Sequence, residues 1–369
     1  MKSATGFATA TEAHPELAAD AVTQALERSS SDVAQNILLF LTPHYARHAQ
    51  AAITAAARAG HCLQVTGCTT PGVFTESAWS LEQPAAAALV MNGNISLATP
   101  AADSSQPRLS MAMPDAIEQQ WLRATRPRYG TLATGNEDHA VGATWGHGKW
   151  MVEGRVECEF RNAQVELAVS RGMRAISAAL EIDDVDGYEV LLIDDRRPLD
   201  TLQQYLPPEI REHGQLPLAM IFAAVIDADT SLEKAVSEGQ YALIPIISVN
   251  GQDGTITLGA SLSPGMRMFW ALRHPQTAET ELGRGIEAIA ARNAGEPEFA
   301  VMFSCIGRGS YFYGGRDHDL DLLATRYPGM PIIGCYSGGE IAPLPHGNSV
   351  LSYSTVAALA YSLPNDVQS

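Results

Sequence analysis

One short turn sequence occurs twice, near the two ends of the chain: Gly67-Cys68-Thr69-Thr70-Pro71-Gly72 and Gly334-Cys335-Tyr336-Ser337-Gly338-Gly339. Each copy follows a short apolar run, Leu63 to Thr66 in the first and Pro331 to Ile333 in the second. Glycines bracketing a cysteine and a hydroxyl residue let the backbone turn sharply and leave N–H groups pointing outward. Two such turns imply a duplicated unit whose loops can meet over a shared site. That is a signal for binding and specifies no reaction.

The segments around the turns repeat as well. A helix is predicted from Pro15 to Arg28, where Leu17, Ala18, Ala21, Val22, Ala25 and Leu26 form one apolar stripe. Asn36 to Thr42 has the length and continuous apolarity of a buried strand. Pro43 then opens a second helix ending at Gly60, followed by the strand Leu63–Thr66, the turn, and a strand at Ala85–Met91. Near the other end come a helix from Thr277 to Asn293, a strand Phe299–Ser304 and a helix Asp317–Tyr327. The strand Pro331–Ile333, the second turn and the strand Val356–Tyr361 complete that copy.

Between the copies the character changes. Val152–Phe160 and Gln164–Val169 alternate polar and apolar residues, as strands with one solvated face do. Glu189–Ile193 reads as a strand and Pro198–Leu206 as a short helix. Gln240–Val249 and Thr255–Leu262 flank Asn250-Gly251-Gln252-Asp253-Gly254, a hairpin signal. The expected fold is α/β with mixed sheets, an internally duplicated two-module architecture with an antiparallel β-rich centre.

A net charge of −17 disfavours nonspecific binding to nucleic acid or anionic lipid, which needs clustered Lys and Arg. The basic cluster Arg123, Arg126 and Arg128 reads as the solvated end of a helix. The longest apolar run, Leu216 to Ile226, falls well short of the ~20 residues of a spanning helix. Behind Lys2 there is no apolar stretch, so a secretory signal is not expected. Cys62, Cys68, Cys158, Cys305 and Cys335 are odd in number and lack a Cys-x-x-Cys pair, the pattern of reduced thiols in a cytoplasmic protein.

Nucleotide signatures fail on inspection. Gly142 to Trp150 has Ala143 and Trp150 where a phosphate loop needs a glycine and a hydroxyl. Gly307, Gly309 and Gly314 are too widely spaced for a dinucleotide fingerprint. Neither a Gly-x-Ser-x-Gly elbow nor a His-Glu-x-x-His helix occurs.

Several stretches resemble the FIST family of sensory domains. They are Phe303 to Gly309 and Gly334 to Ile341, then Ile246 to Val249, Asp253 to Leu258 and Ser263 to Met266. Val65 to Gly72 resembles the signature of the first module. The likeness runs from Val33 to Leu344, with a FIST N-like module over 1–196 and a FIST C-like module over 197–369. Two departures are Ile244, where the family often has an arginine, and Gly130-Thr131-Leu132-Ala133, where it has a paired glycine. The resemblance implies a cytoplasmic sensor of a small ligand, amino-acid-like, that passes its signal to a histidine kinase or a cyclic-dinucleotide enzyme. It implies no catalysis.

The residues expected at the site are Cys68, Thr69, Thr70, Gly72, Ser304, Cys305, Arg308, Cys335, Tyr336, Ser337, Gly338 and Glu340. Arg308 is suited to holding a carboxylate in two parallel hydrogen bonds, and Glu340 to an ammonium. Pairing of the two with each other is the competing assignment. A haem-binding sensor of nitric oxide is the alternative that the resemblance raises. Its axial candidates are His44 and His48, four apart on the predicted helix, with His61 and His147 in loops and Tyr311, Phe312 and Tyr313 as an apolar wall. A cysteine-dependent hydrolase built on Cys305 is a third alternative.

Overall fold

The computed structural model describes residues 3–135, 141–211, 216–345 and 347–363. The duplication is visible in two six-stranded mixed sheets with matching order. In the first, the strands run Ser3–Thr9, Ala85–Met91, Asn36–Leu41, Val65–Thr69, Thr144–Gly146 and Lys149–Trp150. In the second, they run Ala163–Ser170, Thr355–Ser362, Phe299–Cys305, Ile332–Ser337, Gly72–Thr75 and Trp79–Ser80. Each sheet has one parallel pair at its centre, Asn36–Leu41 with Val65–Thr69 and Phe299–Cys305 with Ile332–Ser337. The fold is therefore mixed α/β, as expected.

Both central pairs are buried throughout because both of their faces are covered. Phe40 and Cys68 of one sheet meet Phe303 and Cys335 of the other in a shared core, with the Phe40 and Phe303 rings edge-on at 5.9 Å. Leu39 and Leu41 face the other way, onto Val22 of helix Glu16–Ser29 and Ile53 of helix Ala49–Ala59. In the second copy Met302 and Ile332 face Leu282 of helix Pro275–Arg292 and Leu323 of helix His318–Arg326. The result is four layers, helix, sheet, sheet, helix. A third six-stranded sheet, which includes Arg108–Ala112, Arg128–Leu132 and Glu340–Leu344, adds Leu109, Met111 and Tyr129 to the central core.

These layers form one compact unit, made of the chain up to Arg171 and from Glu279 onward. Gly172–Ala278 forms a second unit. In it, strands Arg267–Arg273, Leu180–Asp186, Glu189–Ile193, Thr255–Leu258, Ala242–Asn250 and Ile221–Ile226 pair in a ring that closes back on the first. The interior of this six-stranded barrel is filled by apolar side chains, among them Ile244, Ile256 and Trp270. The expected hairpin joins two of its strands, with Asn250 opposite Thr255. These are spatial units; the 196/197 boundary is one of sequence modules.

Three local expectations are corrected. No single helix runs from Pro43 to Gly60: a short turn, Pro43–Tyr45, precedes helix Ala49–Ala59. Tyr45 is buried and donates to the His14 carbonyl at 3.1 Å, which pins that turn down. His44 and His48 therefore do not share a helix face. Gln164–Val169 belongs to the edge strand Ala163–Ser170 of the second copy, equivalent to Ser3–Thr9 in the first. Arg128 is not at a solvated helix end. It is buried in a strand, bonds Glu157 at 2.7 Å and stacks on the Trp121 ring.

Candidate functional site at the converging turns

The expected sharp turns at Gly67 and Gly334 are corrected: Gly67–Thr69 and Gly334–Ser337 continue the parallel strands. The chain turns only at Thr70-Pro71 and Gly338-Gly339, outside the carboxyl ends of those strands, where ligands of α/β sheets bind. Gly67 lies opposite Leu39, and Gly334 opposite Met302, at equivalent positions of the two sheets. A Cβ on Gly67 would lie 1.7 Å from the Leu39 oxygen, and one on Gly334 would lie 2.3 Å from that of Met302. Glycine is thus required at the same point of both copies, because the neighbouring strand occupies the space of a side chain.

The chain then exchanges a strand. Gly72–Thr75, leaving the first turn, adds to the sheet of the second copy, with Val73 opposite Cys335 and Gly72 opposite Tyr336. This brings Cys68, Thr69, Thr70 and Gly72 to the edge of the strand that carries Cys335, Tyr336 and Ser337. Glu340 opens the strand after the second turn and pairs with Thr131. Burial pushes the Cys335 thiol up to about 12, against hydrogen bonds to Thr131 and Thr70. The Cys68 thiol is also raised, by burial and by Cys335 beside it. Both are protonated at neutral pH and are weak nucleophiles. Cys305 is buried at a strand end, opposite Ser337.

Arg308 is 1% exposed and takes a carboxylate from its own chain. Its Nε donates to Asp319 Oδ2 at 2.7 Å and an Nη to Oδ1 at 3.1 Å, the two-pronged geometry expected of a ligand carboxylate. Further bonds run to the Ser170 carbonyl (2.9 Å) and hydroxyl (2.7 Å). Asp319 also accepts from Tyr313 and Thr355, both at 2.7 Å, and Thr355 shares a 3.1 Å bond with Ser304. Burial opposes the guanidinium charge, but the Asp319 carboxylate beside it prevails and keeps it charged. Next to this group, Tyr336 donates to Asp317 at 2.5 Å. Asp317 also caps helix His318–Arg326 by accepting from the Leu320 N–H. Burial and the neighbouring Asp319 push the Asp317 carboxyl up to about 6.

Glu340 stands differently. It is fully buried and accepts from Ser337 (3.0 Å) and Ser354 (2.6 Å), and no cation bonds it among the described residues. Burial pushes its carboxyl up to about 8, against those two hydroxyls and the more distant Arg308. Arg308 and Glu340 thus have separate partners and do not pair with each other. Gly338, two residues before Glu340 in the chain, is the exposed crest of the turn, and a Cβ there would lie 3.6 Å from Thr134 Oγ1. Among the described residues, that oxygen and Thr144 Oγ1, opposite Cys68, are buried without a hydrogen-bond partner.

Sequence reasoning missed Asp317, Asp319, Thr131, Ser354 and Ser170. The two aspartates carried a signal, since acidic residues at a predicted helix start are capping and first-turn candidates. The others are single hydroxyls whose partners lie far along the chain. His48 stands in solvent, and His44 bonds Thr42 through Nδ1 at 3.1 Å. Axial haem ligation needs an imidazole over a buried apolar slot and gains no support from either. Tyr311 is exposed and Tyr313 is committed to Asp319. His61 and His147 line a separate surface cleft of about 640 Å³ with Arg58, Cys62, Leu63 and Lys149. Both ring nitrogens of His147 are engaged there, by Gln64 and Thr99.

Among the described residues no helix is long and apolar enough to cross a membrane. Residues 198–343 match the family described as the FIST C domain. Curated relatives include an uncharacterized protein of Mycobacterium bovis, 26% identical over 194 residues that cover 52% of this chain and 49% of that protein. Another is an uncharacterized protein of Mycobacterium tuberculosis, 23% identical over 210 residues, 57% of this chain and 54% of that one. The chain spans about half the length of the curated relatives it matches. Residues 198–343, which include barrel strands and the second Gly-Cys turn, thus match the C-terminal domain of the FIST signal-transduction sensory proteins.

Proposed function

We propose that the chain is a cytoplasmic small-molecule sensor whose amino-acid-like ligand is held between its two sequence modules, at the converging turns. The observation that carries this reading is the density of fully buried polar groups around the second turn: Glu340, bonded by Ser337 and Ser354 and by no cation among the described residues. Buried polar atoms are nearly always satisfied, and shifted carboxyls gather where proteins bind or react. Arg308 supports the site indirectly. It anchors the segment after Phe299–Cys305 to Asp319, and so fixes the floor on which a ligand sits.

A ligand shifts an equilibrium only through different affinity for two states. In this reading it favours one arrangement of the turns, and a separate histidine kinase or cyclic-dinucleotide enzyme reads that change. The test is a thermal-shift screen of amino acids, amines, carboxylic acids and neutral metabolites. A ligand at a hundred times its Kd adds about 2.7 kcal/mol of stability, a shift of a few degrees. A hit that Ser337→Ala weakens supports the reading. A screen without a hit, or hits indifferent to every change at the turns, overturns it.

A further inference from the structure

Burying an isolated carboxylate is so unfavourable that such a group is either protonated or paired with a cation. Glu340 faces hydroxyls from Ser337 in the turn and Ser354 before the strand Thr355–Ser362, and Thr131 lies opposite it on the neighbouring strand. The charged and titratable groups that act with it are Arg308, whose prongs are filled by Asp319, and the protonated thiol of Cys335. At rest the buried Glu340 is therefore an acid with its proton on, next to hydroxyl oxygens that can accept hydrogen bonds. An ammonium head has three N–H donors and no acceptor. The Glu340 carboxylate and the hydroxyl oxygens of Ser337 and Ser354 supply the three acceptors it needs.

Resting on the reading of this site as a ligand pocket, we propose that its ligand is a primary amine and that the ammonium enters in exchange for the Glu340 proton. The proton passes to solvent, the carboxyl becomes carboxylate, and the incoming cation restores the charge of the pocket. No covalent bond to the ligand forms. Specificity follows from the same balance: a carboxylic acid brings a negative charge that protonated Glu340 cannot balance, and a neutral molecule leaves the proton in place. Below the point at which Glu340 titrates, each pH unit changes the carboxylate fraction, and with it the apparent affinity, by about tenfold.

The experiment has two arms. Infrared spectra of the ligand-free protein at about pH 6.5 are expected to show a buried protonated-carboxyl band that Glu340→Gln removes. A spectrum in which Glu340→Gln changes nothing at that pH overturns the proposal. The second arm takes the hits of the thermal-shift screen and compares L-alanine, L-alaninamide and N-acetyl-L-alanine directly. Amines are expected to bind with about tenfold higher affinity per pH unit from about pH 6 to about pH 8, and to level off above that. Calorimetry in two buffers is expected to find close to one proton released per amine at the acid end. Glu340→Gln should lose the amine response and remain folded by circular dichroism; Ser354→Ala should weaken it. Hits that bind equally well to Glu340→Gln, or only neutral and acidic hits, overturn the exchange and leave the sensing site standing. A silent screen removes the sensing site itself.

Discussion

Replacing Glu340 with glutamine should make the protein more stable in alkaline solution and leave its stability in acid nearly unchanged. In the unfolded chain this carboxyl ionises near 4.5, and in the native structure burial holds its proton until about pH 8. Between those points the native state keeps a proton that the unfolded state has lost, so wild-type stability falls as pH rises through this window. Each pH unit is worth about 1.4 kcal/mol. The penalty is on the order of 3 kcal/mol near pH 7 and levels off at on the order of 5 kcal/mol above pH 8, an upper range because the native state can relax. Glutamine does not titrate, and its amide fits the same Ser337 and Ser354 hydroxyls, which can rotate to donate or accept. The assay is urea unfolding of both proteins at a series of pH values, with the slopes on denaturant compared to confirm the same transition. The stability difference should be small near pH 4.5, grow in favour of Glu340→Gln, and flatten above pH 8. A difference that stays constant with pH, or that favours wild type at alkaline pH, would refute the reasoning that Glu340 is buried without a cation.

Arg308→Ala should cost about 3–5 kcal/mol in chemical denaturation, because it leaves Asp319 buried and unpaired; a variant as stable as wild type would show that the pair is dispensable. Gly67→Ala should lose more than about 4 kcal/mol or fail to fold, since the added carbon overlaps the Leu39 oxygen; soluble protein with a wild-type melting curve would contradict the strand register. All five cysteines are buried, so a thiol reagent should label the native protein slowly and find five thiols once it is unfolded; rapid labelling of Cys68 or Cys335 would place the turns at the surface.

The duplication was legible because it rests on local signals: continuous apolar strands, an amphipathic helix and a glycine where no side chain fits. The barrel was legible only as antiparallel strands. Its closure depends on the pairing of Ile221–Ile226 with Arg267–Arg273, a nonlocal match that no turn announces. Mixed sheets also hid which strand belongs where, as with Ala163–Ser170, whose partner Thr355–Ser362 lies far along the chain. At the site, Arg308 and Glu340 stood out as charged residues near the turns, but their partners did not. Asp319 reaches Arg308 from the first turn of the next helix, and Ser354 reaches Glu340 from the loop after the intervening strand Gly347–Leu351. The helix misjudged after Pro43 has the same origin: the composition suits a helix throughout, and a tertiary contact of Tyr45 interrupts it.

The exchanged strand has a consequence for any attempt to dissect this protein. Half the strands of the second sheet, Ala163–Ser170, Gly72–Thr75 and Trp79–Ser80, come from the first part of the chain. A fragment beginning near residue 197 would bare Thr355–Ser362 on one side and Ile332–Ser337 on the other. Both are apolar strands with open ladders, the kind of edge that captures a stray strand or a second copy. Recombining the two halves from separate transcripts should restore solubility that neither has alone, much as a split reporter regains its signal.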